Sequence, residues 1–341
     1  MAFPKSVSVL ICTYNRARLL EQTLAALSAA ASPPGCEVDV VVIDNNSTDD
    51  TASVIARASH QSRWPIRSAL ERSQGKSFAL NRGLTLARGD ILALTDDDVL
   101  PADDWLVRMV DRFRTPDIVF VFGKVLPRWE VPPPPELLTT VARDIWGPLA
   151  LVDYGDDVVR YDAESFGVRR LPIGANLAIR RDAIERVGGW RTDLGKVDNS
   201  LIAGEDHELC VRLYRSGLYT GIYDPNVAVR HFVPASRLQR AYFRRWFYWH
   251  GRTIARMDDA VYLELDLGRV PRIARVPRFV YRELLQQTRR WLGRAGRTDG
   301  LALLIEELKL VEYLGMLAEY WLHRREPAAG LLAAGNTAAV L

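Results

Sequence analysis

The densest acidic chemistry in the chain is Asp96-Asp97-Asp98, set one residue, Thr95, after the apolar run Ile91 to Leu94. Three adjacent carboxylates repel one another unless a cation offsets their charge. Oxygen donors of this kind suit Mg2+ or Mn2+, which also bridge diphosphate oxygens. The alternative is a solvated acidic turn, or a helix cap ahead of Pro101. Asp44 ends the run Val41-Val42-Ile43 and is followed by Asn45-Asn46-Ser47-Thr48-Asp49. A carboxylate there suits a base N–H or a ribose hydroxyl. Gly75-Lys76-Ser77 leads into a helical stretch that carries Asn81, and it sets a lysine where a phosphate can be met. Gly204-Glu205-Asp206 opens another helix at a glycine turn. A carboxylate there suits a general base. The alternative is an acid that only stabilises the helix end, by well under about 1 kcal/mol.

These groups need a scaffold, and the first half of the chain reads as one. Strands are expected at Val7–Cys12, Val38–Ile43, Ile66–Leu70, Ile91–Leu94 and Ile118–Val125. Helices are expected between them, at Leu19–Ala30, at Thr51–Ser59 behind Asp49 and Asp50, and at Ser77–Ala87. Such alternation implies an α/β fold, a mostly parallel sheet with helices on both faces. Ligands in such sheets bind beyond the carboxyl ends of the strands. The polar clusters fall there: Thr13-Tyr14-Asn15, Asp44-Asn45-Asn46 and Asp96-Asp97-Asp98.

Val131-Pro132-Pro133-Pro134-Pro135 reads as a stiff connector, and the stretch to Phe166 as a loop. Val168–Arg180 and Tyr219–His231 read as further strands, with a helix over Glu205–Ser216 stopped by Gly217. After Pro234 the character changes to Arg-rich helices, and Leu301–Leu317 reads as an amphipathic one. The expected division is a catalytic domain over residues 1–233 and a helical region over 234–341.

Composition bounds the class. With 48% hydrophobic and 26% charged residues over 341 positions, the chain is globular rather than disordered. A net charge of +3 argues against a nucleic-acid-binding polycation. The charge is uneven, however: fifteen arginines face five acids between Arg237 and Arg297. Tyr242, Phe243, Trp246, Phe247, Tyr248 and Trp249 lie in the same segment. Basic aromatic helices suit an anionic membrane surface. The alternative is a helical subdomain whose arginines are solvated or paired with acids. Cys12, Cys36 and Cys210 are odd in number and widely spaced, so reduced thiols are expected. Val7–Cys12 is too short for a signal-peptide core, and no run reaches the roughly 18 apolar residues of a spanning helix. The expectation is a cytoplasmic protein, or one peripheral on the inner face of the cell membrane.

Seven motifs in order carry a resemblance: SVLICTYNR, VVIDNNSTDDT, GKSFALNRG, LTDDDVLP, GANLAIRR, GGW and GEDHELCVRL, spread from Ser8 to Leu213. The chain resembles the family 2 glycosyltransferases of the GT-A fold. That resemblance implies a nucleotide-sugar donor, a divalent metal (Mn2+ or Mg2+), a glycan or lipid-linked acceptor, and inversion at the anomeric carbon. It implies that Thr13, with Tyr14 and Asn15, and Asp44, with Asn46, hold the nucleotide. Asp96, Asp97 and Asp98 match the DXD motif, with Asp96 toward the ribose and Asp98 on the metal. Gly174 and Asn176 match the loop along donor sugar and acceptor. Asp206, beside Glu205, matches the catalytic base. His231, at the end of a strand, matches a late metal ligand, so the metal set is Asp98, Asp96 and His231. His207 is expected to face outward or toward the acceptor.

Two departures stand out. Leu80 occupies the place where many members carry a phosphate-binding arginine, and Lys76 is expected to take over that work. The QxxRW signature of processive synthases is missing: Arg245-Trp246 has Tyr242 where the glutamine belongs. Transfer of one or a few sugars is therefore expected, in polysaccharide or glycolipid synthesis. The competing readings are a retaining transferase on the same fold, a sugar nucleotidyltransferase, and a non-catalytic nucleotide-sugar-binding protein. A nucleotidyltransferase wants a glycine-rich loop near the N-terminus, which Thr13-Tyr14-Asn15-Arg16 lacks.

Overall fold

The computed structural model describes residues 4–162, 164, 171–197, 200–257, 270–294 and 300–322. Nine strands form one sheet: β1 (Ser6–Thr13), β2 (Glu37–Asp44), β3 (Ile66–Leu70), β4 (Ile91–Asp96), β5 (Val99–Pro101), β6 (Phe120–Trp129), β7 (Val159–Tyr161), β8 (Leu177–Arg180) and β9 (Gly221–Val233). The order is β3-β2-β1-β4-β8-β6-β9-β5, with β7 beside β9. β3, β2, β1 and β4 are mutually parallel, and β8 enters antiparallel between β4 and β6. β9 then runs parallel to β6. The mostly parallel sheet expected from strand–helix alternation is the one observed.

Both faces are covered, which explains why β1 and β2 are almost continuous apolar runs. The helices of the first part are α1 (Ala17–Ala29), α2 (Thr51–Gln61), α3 (Lys76–Leu86), α4 (Trp105–Arg112), α5 (Arg181–Val187) and α6 (Glu205–Arg215). Val7, Val9, Ile11, Val40 and Val42 turn to one face, against Leu20 and Leu24 of α1, Val54 of α2 and Trp105 of α4. Leu10, Val41, Ile43, Leu92 and Leu94 turn to the other, against Leu80 of α3, Ile184 of α5 and Leu209 of α6. The period of two in each strand sorts its side chains between the layers.

The last three helices are α7 (Arg240–Met257), α8 (Arg278–Arg294) and α9 (Gly300–Leu322). α7 and α9 cross with almost no gap. A Cβ on Gly251 would stand 1.9 Å from the Glu312 carbonyl oxygen, and one on Gly315 would stand 2.0 Å from that of Tyr248. Phe243, Phe247, Leu304 and Leu308 pack on Leu137, Ile145 and Leu149. Ile254 and Met257 pack on Leu194 and Ile202. The arginines of α7 are largely spoken for by α9. Arg244 meets Glu307 at 2.6 Å, and Arg252 and Arg256 both meet buried Glu319 at 2.7 Å. For these residues the paired-arginine alternative describes the structure. Among the described residues, no helix is long and apolar enough to cross a membrane.

Several expectations are corrected. Val168–Arg180 is not one strand: only Leu177–Arg180 pairs, and Gly174–Asn176 is a tight turn behind Pro172. Residues 168–170 lie outside the described ones. The stretch from Pro132 is not a plain loop. It holds short 3-10 turns at Pro135–Leu138, Val141–Ile145 and Gly147–Leu149, then β7. β5, α4 and α5 had not been anticipated. The three cysteines are free thiols.

Candidate active site

The parallel register brings the first motifs together. Thr13 pairs with Asp44 and Cys12 with Asp96, so three strand ends open on one cleft. The cleft holds about 270 Å³ and is lined by Thr13, Tyr14, Arg16, Asn45, Gln74, Lys76, Asp96, Asp97, Asp98, Lys196, His231 and Arg237, among others.

The three aspartates are divided among different cations. Asp97 turns inward, where its carboxylate accepts from Thr13 Oγ1 at 2.8 Å and from Arg16 at 2.9 Å. Thr23 donates to its carbonyl at 3.0 Å. Asp98 accepts from the same Arg16 nitrogen at 2.7 Å, and its carbonyl accepts the Phe232 N–H of β9. That bond sets His231 beside it, with Nε2 3.5 Å from Asp98 Oδ1. Arg237 closes on His231 at 3.4 Å. Asp96 faces the other way, to Lys76 at 3.1 Å. Electrostatics follow the partners. Burial alone would raise all three carboxyls. For Asp98, His231, Arg16 and Arg237 outweigh burial and hold it well below the usual range. For Asp96, Lys76 does so. For Asp97, burial prevails over Arg16 and pushes the group up.

The motif after the glycine turn joins this cleft through Lys76. The lysine reaches Glu205 Oε1 at 3.5 Å while holding Asp96. Burial disfavours its charge, but Asp96 and Glu205 more than restore it and keep the ammonium above its usual range. Gly204 has φ +89°, the left-handed conformation glycine favours, and α6 starts directly after it. Glu205 and Asp206 are both buried. The Gly174 N–H donates to Asp206 Oδ2 at 2.8 Å, and a Cβ on Gly174 would stand 2.7 Å from that oxygen. Asp206 Oδ1 and Glu205 Oε2 are buried with no hydrogen-bond partner. Burial and the neighbouring Glu205 push the Asp206 carboxyl up to about 6, against Lys76. A carboxylate so placed is a competent proton acceptor near neutral pH.

The remaining expected residues sort into cleft and scaffold. Tyr14 is 45% exposed at the rim. Asp44 is buried and accepts the Ser47 N–H at 2.8 Å, which shapes the loop after β2. Asn15 and Asn46 both adopt positive φ, 52° and 69°. Asn15 secures that loop: its N–H donates to Ser47 Oγ, and its side-chain oxygen accepts the Thr48 N–H at 2.7 Å. Asn81 does not line the cleft. Its amide pairs twice with the backbone of Trp190, at 2.8 Å each, and so fastens the GGW turn to α3. Asn176 is likewise engaged. Its NH2 donates to the carbonyls of Lys124 and Val227, and its oxygen accepts from Trp105 Nε1. His207 lies near His250 of α7 rather than standing free, and burial with that neighbour pushes it down to about 4.

Arg16, Asn45, Gln74, Lys196 and Arg237 line the cleft with charged or amide side chains and were not among the expected site residues. Arg16 carried a signal, a cation directly after a strand-end cluster. Asn45 did too; its side chain accepts the Gly75 N–H and donates to the carbonyls of Glu71 and Ser73. Arg237 had been counted with the basic segment, yet it is buried beside His231. A larger groove of about 380 Å³ lies between α1 and α2. Its charged residues, Glu21 and Arg57, are paired with each other at 2.9 Å.

Among the described residues, no group of three or more His, Cys, Asp or Glu side chains is arranged to hold an ion. Asp96, expected in such a set, is turned to Lys76. What remains is a pair: Asp98 Oδ1, buried and without a hydrogen-bond partner, and His231 Nε2. The carboxylate oxygen suits Mn2+ or Mg2+, and the imidazole beside it favours the softer Mn2+ over Mg2+.

Comparison with known proteins places the chain in a family. The family model for glycosyl transferase family 2 matches residues 8–188. The glucosyl-dolichyl phosphate glucuronosyltransferase of Haloferax volcanii is 26% identical over 268 residues, covering 74% of this chain and 77% of that one. The succinoglycan biosynthesis protein ExoM of Rhizobium meliloti is 26% identical over 254 residues, covering 74% of each. Among solved structures, the mannosyltransferase PcManGT of Pyrobaculum calidifontis, in complex with GDP-Man and Mn2+, superposes with a TM-score of 0.63. It is 21% identical, over 94% of this chain and 88% of that one, a likeness of fold. The family model spans the β1 end, the aspartate triplet and the Gly174 turn that meets Asp206, and on that match the chain belongs to glycosyl transferase family 2 and is a glycosyltransferase.

Proposed function

We propose that the protein is an inverting glycosyltransferase that moves a sugar from a nucleotide-sugar donor, a UDP-sugar first among candidates, to an acceptor hydroxyl of a lipid-linked glycan or polysaccharide. The observation that carries this reading is the Lys76 bridge. It joins the aspartate end of the cleft to Glu205, neighbour of Asp206, and so sets the base beside the donor site. The acceptor class rests on similarity to the dolichyl-phosphate and succinoglycan enzymes.

The chain's own residues divide the work. Thr13, Tyr14 and Asp44, with Asn15 and Asn46 shaping the loop, receive the nucleoside, and Asp96 takes the ribose. Arg16, Lys76, Lys196 and Arg237 present positive charge to the diphosphate. Asp98 and His231 would hold a divalent ion, which when bound would offset charge on the leaving diphosphate. Asp206 Oδ1, which lacks a protein partner, takes the proton of the acceptor hydroxyl as that oxygen attacks the anomeric carbon from the face opposite the diphosphate. The Gly174 N–H keeps the other Asp206 oxygen fixed. Positioning both substrates supplies much of the remaining rate. Asn81 and Asn176 serve as scaffold.

In this reading residues 1–233 form the catalytic part, and α7, α8 and α9, from the region after residue 233, brace it. A lipid-linked acceptor would bring the protein to an anionic membrane surface. The outer face of α8 suits such a surface: Arg278, Arg282, Leu285, Arg289 and Leu292 are all exposed at helical spacing.

The test is slow hydrolysis of a panel of nucleotide sugars, with Mn2+, Mg2+ or EDTA, by wild type and Asp98→Ala. The reading expects one nucleoside diphosphate to be released, with loss of release in EDTA and in the variant. Neither release nor calorimetric binding of any nucleotide sugar would overturn it.

A further inference from the structure

The catalytic turn is pressed against a helix from the C-terminal part. The Ala203 N–H donates to Thr253 Oγ1 of α7 at 3.2 Å, and that hydroxyl donates in turn to the Trp249 carbonyl at 3.0 Å. A Cβ on Gly204 would stand 2.7 Å from Thr253 Cγ2 and 2.9 Å from Met257 Sδ. Thr253 is 1% exposed, and Ile202 packs with Ile254 and Met257. α7 is backed by α9 at the Gly251–Gly315 crossing. A second link runs alongside: His250 of α7 pairs with Glu312 of α9 and lies near His207, which follows Asp206 in the chain.

We infer that Thr253 is a positioning residue for the catalytic carboxylate: α7 holds the Gly204 turn at the height that presents Asp206 to the cleft. This deepens the reading of Asp206 as base and rests on it. A turn entered through a left-handed glycine has no side chain of its own to fix it. Its position is therefore set by what it lies on, and the contact that fixes it is the hydrogen bond that the Thr253 hydroxyl accepts from the Ala203 N–H. If the turn lifts, Asp206 loses the Gly174 N–H and gains water. Both the hydrogen bond and the burial that set its titration then change. The charged and titratable groups facing Asp206 are Glu205 on its own helix, Lys76 of α3, Asp96 of β4, Cys12 of β1 and Cys210 one α6 turn on. None belongs to α7, so a Thr253 substitution moves Asp206 through position and not through charge.

The experiment is a carbon NMR titration of the full chain labelled at aspartate carboxyls, with Asp206→Asn identifying the resonance. Thr253→Val keeps the shape and removes the hydrogen bonds. Thr253→Ser keeps the hydroxyl and removes the methyl. The expected result is an Asp206 midpoint at least half a pH unit lower in Thr253→Val, faster amide exchange at Glu205 and Asp206, and a return toward wild type in Thr253→Ser. A Thr253→Val protein that melts like wild type and keeps both midpoint and exchange rates would overturn the inference. So would equal shifts in the Val and Ser variants, since these would mark packing alone. The titration is read without substrate. It decides the positioning claim separately from donor hydrolysis by Asp206→Asn, which decides whether Asp206 is the base.

Discussion

At the scale of single residues, the account turns on one carboxylate kept poised and one lysine shared between two acids. Asp206 must be ionised to accept a proton, and burial with Glu205 puts its midpoint at about 6. Activity should therefore rise with pH through about 6, and a pH profile of kcat/KM reads that limb directly. Asp206→Asn should lower kcat by about 10²- to 10⁴-fold, the usual worth of a general base, with donor affinity preserved in calorimetry. Lys76 lowers the Asp206 midpoint by its charge. Lys76→Met should thus move the acid limb to higher pH, and it should also weaken donor binding; an unmoved limb would contradict the shared-lysine geometry. The residue types were legible in sequence: an acid triplet after an apolar run, and an acid pair after glycine. Their partners were not. Arg237 reaches His231 through the short turn Ala235–Leu238 that follows β9, and the pairing of Asp97 with Arg16 depends on which way each carboxylate faces.

At the scale of elements, strands were the readable part, because two-sided burial demands apolar runs such as Val40–Ile43 and Ile91–Leu94. The Gly174 turn was misread as strand because its neighbours Leu171, Ile173, Leu177 and Ile179 look alike whether they pair or not. α4 went unseen although Trp105, Leu106, Met109 and Val110 carry a helical period. Asn81 and Asn176 have a mechanical part that their motifs do not announce, each satisfying backbone groups of a neighbouring segment. Asn81→Ala should cost about 2 kcal/mol, visible as a drop of a few degrees in Tm, with the donor midpoint near wild type. Gly174→Ala should do the reverse. Its methyl would displace the Asp206 carboxylate, so turnover should fall at least tenfold while Tm barely moves.

At the scale of the molecule, the C-terminal helices brace the catalytic part, and their arginines split into two populations. Arg244, Arg252 and Arg256 on α7 pair with acids of α9, whereas Arg278, Arg282 (beside Glu283 at 2.9 Å) and Arg289 on α8 are exposed with Leu285 and Leu292, which are 53% and 58% exposed. Each arginine near an anionic surface contributes about 1 kcal/mol. Co-sedimentation with phosphatidylserine vesicles at low salt should therefore weaken more than tenfold in the triple Glu variant of these arginines, with donor hydrolysis intact. Equal binding by variant and wild type would remove the α8 face from the account.

The central claim is a single displacement driven by Asp206, and stereochemistry tests it most directly. With the donor named by the hydrolysis panel, the anomeric configuration of the first sugar released or transferred is read by proton NMR before mutarotation. The account predicts inversion relative to the donor, lost together with turnover in Asp206→Asn. Retention of configuration, or wild-type turnover in that variant, would contradict it.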